Sequence, residues 1–137
     1  MKKSIKSIFT VLILFAGYIL CGCSIQEVQS EKVRECDFTV VDKMDVPKEL
    51  QGIIDEKKKQ PFKLSYGDAG YLYLVMGYGE QTGGGYSITV DSLYETETNV
   101  VFHTTLVGPK KKENTNVKTY PYIVIKMEFV EKDVVYQ

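Results

Sequence analysis

From Phe62 to Val130 the chain repeats one pattern: a run of β-branched, aromatic and aliphatic residues, closed off by glycine, asparagine or acidic turn material. The runs are Phe62–Tyr66 (FKLSY), Tyr71–Tyr78 (YLYLVMGY), Tyr86–Tyr94 (YSITVDSLY), Val100–Val107 (VVFHTTLV) and Tyr120–Val130 (YPYIVIKMEFV). Between them lie Gly67–Gly70, a glycine loop, Glu95–Asn99 and Gly108–Lys118. Each run has strand length and strand composition. Two of them alternate: Ile88, Val90 and Ser92 oppose Thr89, Asp91 and Leu93, and Tyr122, Val124, Lys126 and Glu128 oppose Ile123, Ile125, Met127 and Phe129. A period of two predicts strands with one apolar and one wet face. The connections are too short for parallel crossovers except around a helix, so antiparallel neighbours are expected.

The helix is expected after Pro47, which is preorganised for a first helical position, with Asp45 before it placed to cap free amides. Leu50, Ile53 and Ile54 share the buried face, Lys57–Lys59 complement the C-terminal dipole, and Gln60-Pro61 ends the element. A further short strand is expected over Asp37–Asp42 (DFTVVD). The fold class is therefore α+β, a mostly antiparallel sheet or partly closed barrel with one helix packed on it.

The first 22 residues differ in kind. Lys2, Lys3 and Lys6 precede the uncharged apolar stretch Ile8–Leu20, the arrangement of an export signal. It ends in Leu20-Cys21-Gly22-Cys23, which resembles the bacterial lipobox with Cys21 in place of the usual small residue. That resemblance implies cleavage before Cys23 and acylation of its thiol, each buried CH2 contributing about 0.8 kcal/mol to anchoring. The rival reading is an uncleaved span over Ser7–Ile25. In both, residues 36–137 form a single exported domain, joined by a polar tether over residues 23–35 to an envelope membrane.

With the leader removed, 115 residues (137 − 22) carry 14 Lys and Arg (17 − 3) against 18 Asp and Glu, a net charge of −4. A mildly acidic domain lacks the basic face that nucleic acid requires. Cys21 leaves with the leader and Cys23 takes lipid, so Cys36 is alone and an internal disulfide is impossible. A composition of 44% hydrophobic and 26% charged residues gives stability to an ordinary core instead.

Chemistry-bearing residues are sparse. His103 is the only histidine, which excludes a multi-histidine metal site, and no cofactor motif is present. Ser87 or Ser92 with His103 and Asp91 composes a nucleophilic set on paper, without the G-x-S-x-G elbow; a small hydrolase using His103 is the rival outside the binding class. Asp91, Glu95 and Glu97 fall in or near an exposed turn and are expected to be solvated. In GEQTGGGYSI, residues 79–88, no Lys-Ser/Thr pair follows the glycines and a strand comes next, so a phosphate cradle lacks its helix dipole. The glycines are expected at a hairpin end, with room for a recognition loop flanked by Tyr78 and Tyr86. Pro121, unable to donate to a ladder, belongs at the start of its strand or at an edge, where partner strands add.

Gly83-Gly84-Gly85-Tyr86-Ser87-Ile88, followed by Thr119-Tyr120-Pro121-Tyr122 and a strand ending Ile125-Lys126-Met127, resembles the C-terminal domain of the protease-complex subunit PrcB family over Gly77–Phe129. The family's usual Pro-Thr-Gly-Gly-Tyr is Gln-Thr-Gly-Gly-Gly-Tyr in this chain. The resemblance implies a non-catalytic, lipid-anchored envelope subunit that binds and stabilises or regulates a partner protease. Its contact residues would be Thr82, Gly83, Gly84, Gly85, Tyr86, Tyr120, Pro121 and Tyr122. The same loop chemistry has a looser similarity to chagasin-type cysteine-protease inhibitors, although the tryptophan those place beside their proline is absent.

Overall fold

The computed structural model describes residues 31–111 and 116–137; the leader, the lipobox and most of the expected tether, residues 23–30, lie outside the described residues. The five expected runs fold as β3 (Pro61–Asp68), β4 (Tyr71–Tyr78), β6 (Ser87–Glu95), β7 (Asn99–Val107) and β9 (Tyr122–Glu128). The expected early strand is β2 (Phe38–Val40), and the helix is α1 (Lys48–Lys57). Four short strands complete the described set: β1 (Arg34–Glu35), β5 (Gln81–Thr82), β8 (Lys118–Thr119) and β10 (Asp133–Tyr136). They form one sheet in the order β1-β6-β7-β10, a second in the order β2-β9-β4-β3, and a two-stranded ribbon β5-β8. The class is α+β as expected, with open sheets and no closed barrel.

The second sheet lies between the first sheet and the helix. Leu72, Leu74, Ile123, Ile125 and Met127 point from β4 and β9 toward Leu93, Val100 and Phe102 of the first sheet. The alternate residues Tyr73, Val75 and Val124 meet Val46, Leu50 and Ile54. Burial on both sides corrects the expectation of one wet face: in β9 only Lys126 and the strand ends stay accessible, and the Lys126 ammonium lies 3.9 Å from the Tyr71 ring centroid. Such a cation over an aromatic face is attracted by the ring quadrupole, so the charge is accommodated beside a core strand.

α1 begins and ends near its expected bounds, but Asp45 does not cap it. The chain makes a 3-10 turn over Lys43–Asp45, where Asp45 N–H donates to the Asp42 carbonyl (2.9 Å), and Pro47 itself stands at the N-cap without a side-chain bond. Val46, buried against the sheet, directs this entry. Glu49 accepts from the Tyr66 hydroxyl (3.0 Å), tying the first helical turn to β3.

Two features break the expected pairing. In β6, Val90 pairs with Thr104 and Ser92 with His103, leaving Asp91 as a bulge. The extra residue reverses the alternation, so Leu93 enters the core in place of Ser92. β10 pairs parallel with β7, the one parallel pair among the described strands of a mostly antiparallel fold. The connection from β7 passes through β9 in the other sheet, which supplies the length that a parallel return needs.

The expected tether is shortened at its end, since Arg34 and Glu35 pair with Glu95 and Tyr94. Glu95 is likewise not a solvated turn residue. It is only 5% exposed, hydrogen-bonded by the Arg34 guanidinium and held 3.2 Å from Lys132 Nζ, which also donates to the Thr96 carbonyl (2.8 Å). One carboxylate thereby joins the first described strand, the β6–β7 turn and the segment before β10. The Arg34 bond, opposed by burial and aided by Lys132, holds Glu95 below the usual carboxylate range. Because the folded value lies under the unfolded value of about 4.3, the stabilisation is complete above that pH and is lost as pH falls through the folded value. Urea midpoints measured from pH 7 down to pH 3 should show the wild type losing its advantage over Glu95→Gln below about pH 4; a constant difference across that range would remove this role.

The β3–β4 hairpin closes through Ala69 and Gly70, both at positive φ (50° and 81°), between the paired Asp68 and Tyr71. Two positive φ angles suit a primed turn, where asparagine is favoured over alanine. Ala69→Asn should therefore raise stability by about 0.5–1 kcal/mol in chemical denaturation, and a loss would contradict the turn assignment.

Candidate functional site

The glycine loop and the Tyr-Pro-Tyr segment, far apart in sequence, meet through the ribbon. Instead of turning back to pair with β4, the chain after Tyr78 crosses from the second sheet to the first, and on the way β5 pairs with β8. The hairpin expected at residues 79–86 is thus a crossover between sheets: β4 pairs with β3 and β9, and β6 pairs with β7 and β1. Gly83 N–H donates to the Val117 carbonyl (2.6 Å), and Thr119 Oγ1 donates to the Gly83 carbonyl (2.7 Å). The Pro121 carbonyl accepts from Tyr78 N–H (3.0 Å), and the Tyr78 hydroxyl bonds Thr104 Oγ1 (2.6 Å), so the end of β4 is fixed to both later segments. Pro121 stands one residue before β9, where its missing N–H leaves no gap in the ladder.

The result is a surface groove of about 310 Å³ lined by Lys43, Tyr86, Ser87, Ile88, Tyr120, Pro121, Tyr122 and Ile123. Four of the eight residues expected from the sequence, Tyr86, Tyr120, Pro121 and Tyr122, line it together. Thr82, Gly83, Gly84 and Gly85 do not; they build the ribbon end and turn that set where Tyr86 begins. Thr82 and Gly83, bonded to β8, are no free wedge of the kind an inhibitor inserts into a cleft. Ser87, Ile88 and Ile123 are neighbours of expected residues. Lys43 had no sequence signal, because only the packing of the turn before α1 brings it to this face. Its ammonium lies 5.4 Å from the Tyr122 ring centroid. The Tyr122 hydroxyl is in turn approached by Gln51 Nε2 of α1 at 3.5 Å.

Of the three glycines, Gly83 (φ 92°) and Gly85 are held at positive φ and Gly84 is the free one. Gly85 has φ 82°, and a Cβ there would stand 2.9 Å from Pro109 Cβ; at Gly84 a Cβ would meet nothing within 4 Å.

The residues of the paper hydrolase are placed differently. His103 Nε2 is 3.8 Å from Asp91 Oδ2, and the Thr105 hydroxyl donates to the same carboxylate oxygen. Ser92 is opposite His103 in the ladder, while Ser87 is paired with Val107 at the other end of β6, beside the groove. Among the described residues no side-chain hydrogen bond joins His103 to either serine, and no three His, Cys, Asp or Glu side chains cluster as a metal-ligand set. Cys36 follows β1, half-buried, where burial raises its thiol above the ordinary value and away from the thiolate that redox chemistry uses. Among the described residues no helix is long and apolar enough to cross a membrane. Cys23, the expected lipidation site, lies outside the described residues.

Two stacked sheets with one helix and a groove at the sheet edges define a small α+β domain whose distinguishing surface is a tyrosine-lined cleft. Residues 72–128, spanning nearly all of β4 to the end of β9, match the family model described as PrcB C-terminal. No curated protein and no solved structure matches the chain. The matched stretch contains Tyr86 and Tyr120–Ile123 but not Lys43, so the groove is built across its boundary.

The positive φ and the Pro109 contact at Gly85 predict a divided response to alanine. Gly85→Ala should cost about 1–2 kcal/mol of stability and Gly84→Ala less than about 0.5 kcal/mol, as measured by urea denaturation. Equal losses at the two positions would refute the turn geometry.

Proposed function

We propose that the tyrosine-lined groove is a protein-binding surface, and that this chain is the non-catalytic subunit of an envelope protease complex, held to the membrane through lipid on Cys23. The observation that carries this reading is the convergence of Tyr86 with Tyr120, Pro121 and Tyr122 in one open groove. Tyrosine gives large contact area at low entropic cost and brings a polar hydroxyl, which is why it is enriched where proteins meet. The match to a family described as PrcB C-terminal supports a protease as the partner. The mild negative charge of the exported part argues for a protein rather than nucleic acid at this surface.

The test is recovery of the partner from native envelope solubilised in mild detergent, using the full chain and a Tyr86→Ala/Tyr122→Ala variant of equal thermal stability. A protease should co-purify with the wild type and fall at least about tenfold with the variant, the loss expected when two buried aromatic anchors are truncated. Equal recovery by both would sink the binding-surface reading. Radiolabelled palmitate that stays on a Cys23→Ala chain would sink the proposed anchor.

A further inference from the structure

The sheet edges that flank the groove are left uncovered. β6 is nine residues long, yet on its outer side β1 pairs only with Tyr94 and Glu95, and Cys36 N–H adds one bond to the Leu93 carbonyl (3.0 Å). Among the described residues no strand runs along Ser87–Val90 on that side. The second sheet repeats the arrangement: β2 pairs with Ile125–Met127 of β9, Val41 N–H reaches the Val124 carbonyl (2.9 Å), and the cover stops there. Ser87 and Ile88 from one uncovered half-edge and Tyr122 and Ile123 from the other line the same groove.

Uncovered strand edges are usually defended against pairing by proline, lysine or a bulge. Ser87-Ile88-Thr89-Val90 contains neither of those residues, and the bulge of this strand comes only afterwards, at Asp91. Four residues at about 3.3 Å each present roughly 13 Å of main chain, enough to register an added strand. Lys43 is the one charged side chain among the lining residues, so the complementary charge is negative.

Resting on the reading of the groove as a protein-binding surface, we propose that its occupant is an extended acidic segment of the partner. This segment adds to Ser87–Val90 as a further strand and sets alternate side chains among Tyr86, Tyr120 and Tyr122, with a carboxylate at Lys43.

Decapeptides selected from a random library against the full chain in detergent micelles provide the probe. The tightest are re-measured on the wild type, on Lys43→Gln and on Tyr86→Ala/Tyr122→Ala, and again with single backbone N-methyl groups placed along the peptide. N-methylation should weaken binding about tenfold or more at every second position, since only alternate N–H groups of an added strand point to the paired edge. Amides within Ser87–Val90 should exchange more slowly with peptide bound, and Lys43→Gln should cost about 2–5-fold. Groove-dependent binding with no alternation and no amide protection would overturn strand addition while leaving the binding surface intact. Peptides that bind the double-alanine variant as tightly as the wild type would sink both. Failure to select any peptide, or protection of the same amides before peptide is added, would also overturn the proposal, the latter by showing the edge already occupied by this chain or a second copy.

Discussion

The antiparallel pairing of β4 with β9, from Tyr71 opposite Glu128 to Gly77 opposite Tyr122, is the constraint on which the rest of the molecule depends. Among the described strands it is the pair buried on both faces. Leu74 and Ile125, cross-strand partners with no exposure, fill the space between the sheets, while Val75 opposite Val124 receives the helix. A one-residue slip would exchange the two sets, sending the residues that fit against α1 into the space between the sheets. Register at this pair therefore fixes the distance and angle of both neighbouring layers at once.

The same register decides where the groove forms. With Gly77 opposite Tyr122, the exit from β4 and the entry to β9 are at one end of the sheet, and both connections leave from there toward the first sheet. Side by side, they satisfy their main-chain groups on each other as β5 and β8, because a buried or half-buried connection cannot leave these groups unpaired. Tyr86 and the Tyr-Pro-Tyr segment are the residues on which the two connections deliver the chain back to regular structure. Their meeting is thus a consequence of a shared crossover, and the glycines serve it by turning Gly83 and Gly85 through positive φ.

The parts of this arrangement legible in the sequence were those set by local pattern. Strand runs, the Pro47 helix and the place of Pro121 follow from residue type and spacing, and the pairing of G-G-Y with Y-P-Y came from a family likeness over a matching stretch. What stayed hidden was set by tertiary contact. The bulge at Asp91 leaves no mark in YSITVDSLY, whose alternation looks unbroken until Leu93 is found in the core. Glu95 reads as a turn residue because its partners, Arg34 and Lys132, are remote in sequence. DVVY near the C-terminus is too short to announce β10, which exists because Val134 and Tyr136 complete the hydrophobic layer around Phe102. Lys43 reaches the groove only through the docking of α1.

The geometry also relates the groove to the point at which the chain enters the domain. Arg34 pairs beside Glu95, at the C-terminal end of β6, and Ser87 of the groove starts the same strand. Nine residues of strand have eight steps, or roughly 26 Å at about 3.3 Å each, so entry and groove lie at opposite ends of the first sheet. In the proposed arrangement, with lipid on Cys23, the entry end would face the membrane and the groove would face away from it. The Glu95 cluster strengthens that separation, since Arg34 and Lys132 close the entry end with a buried carboxylate while the other end of β6 keeps its edge open. In that proposed arrangement a partner approaching from outside would meet the tyrosines first.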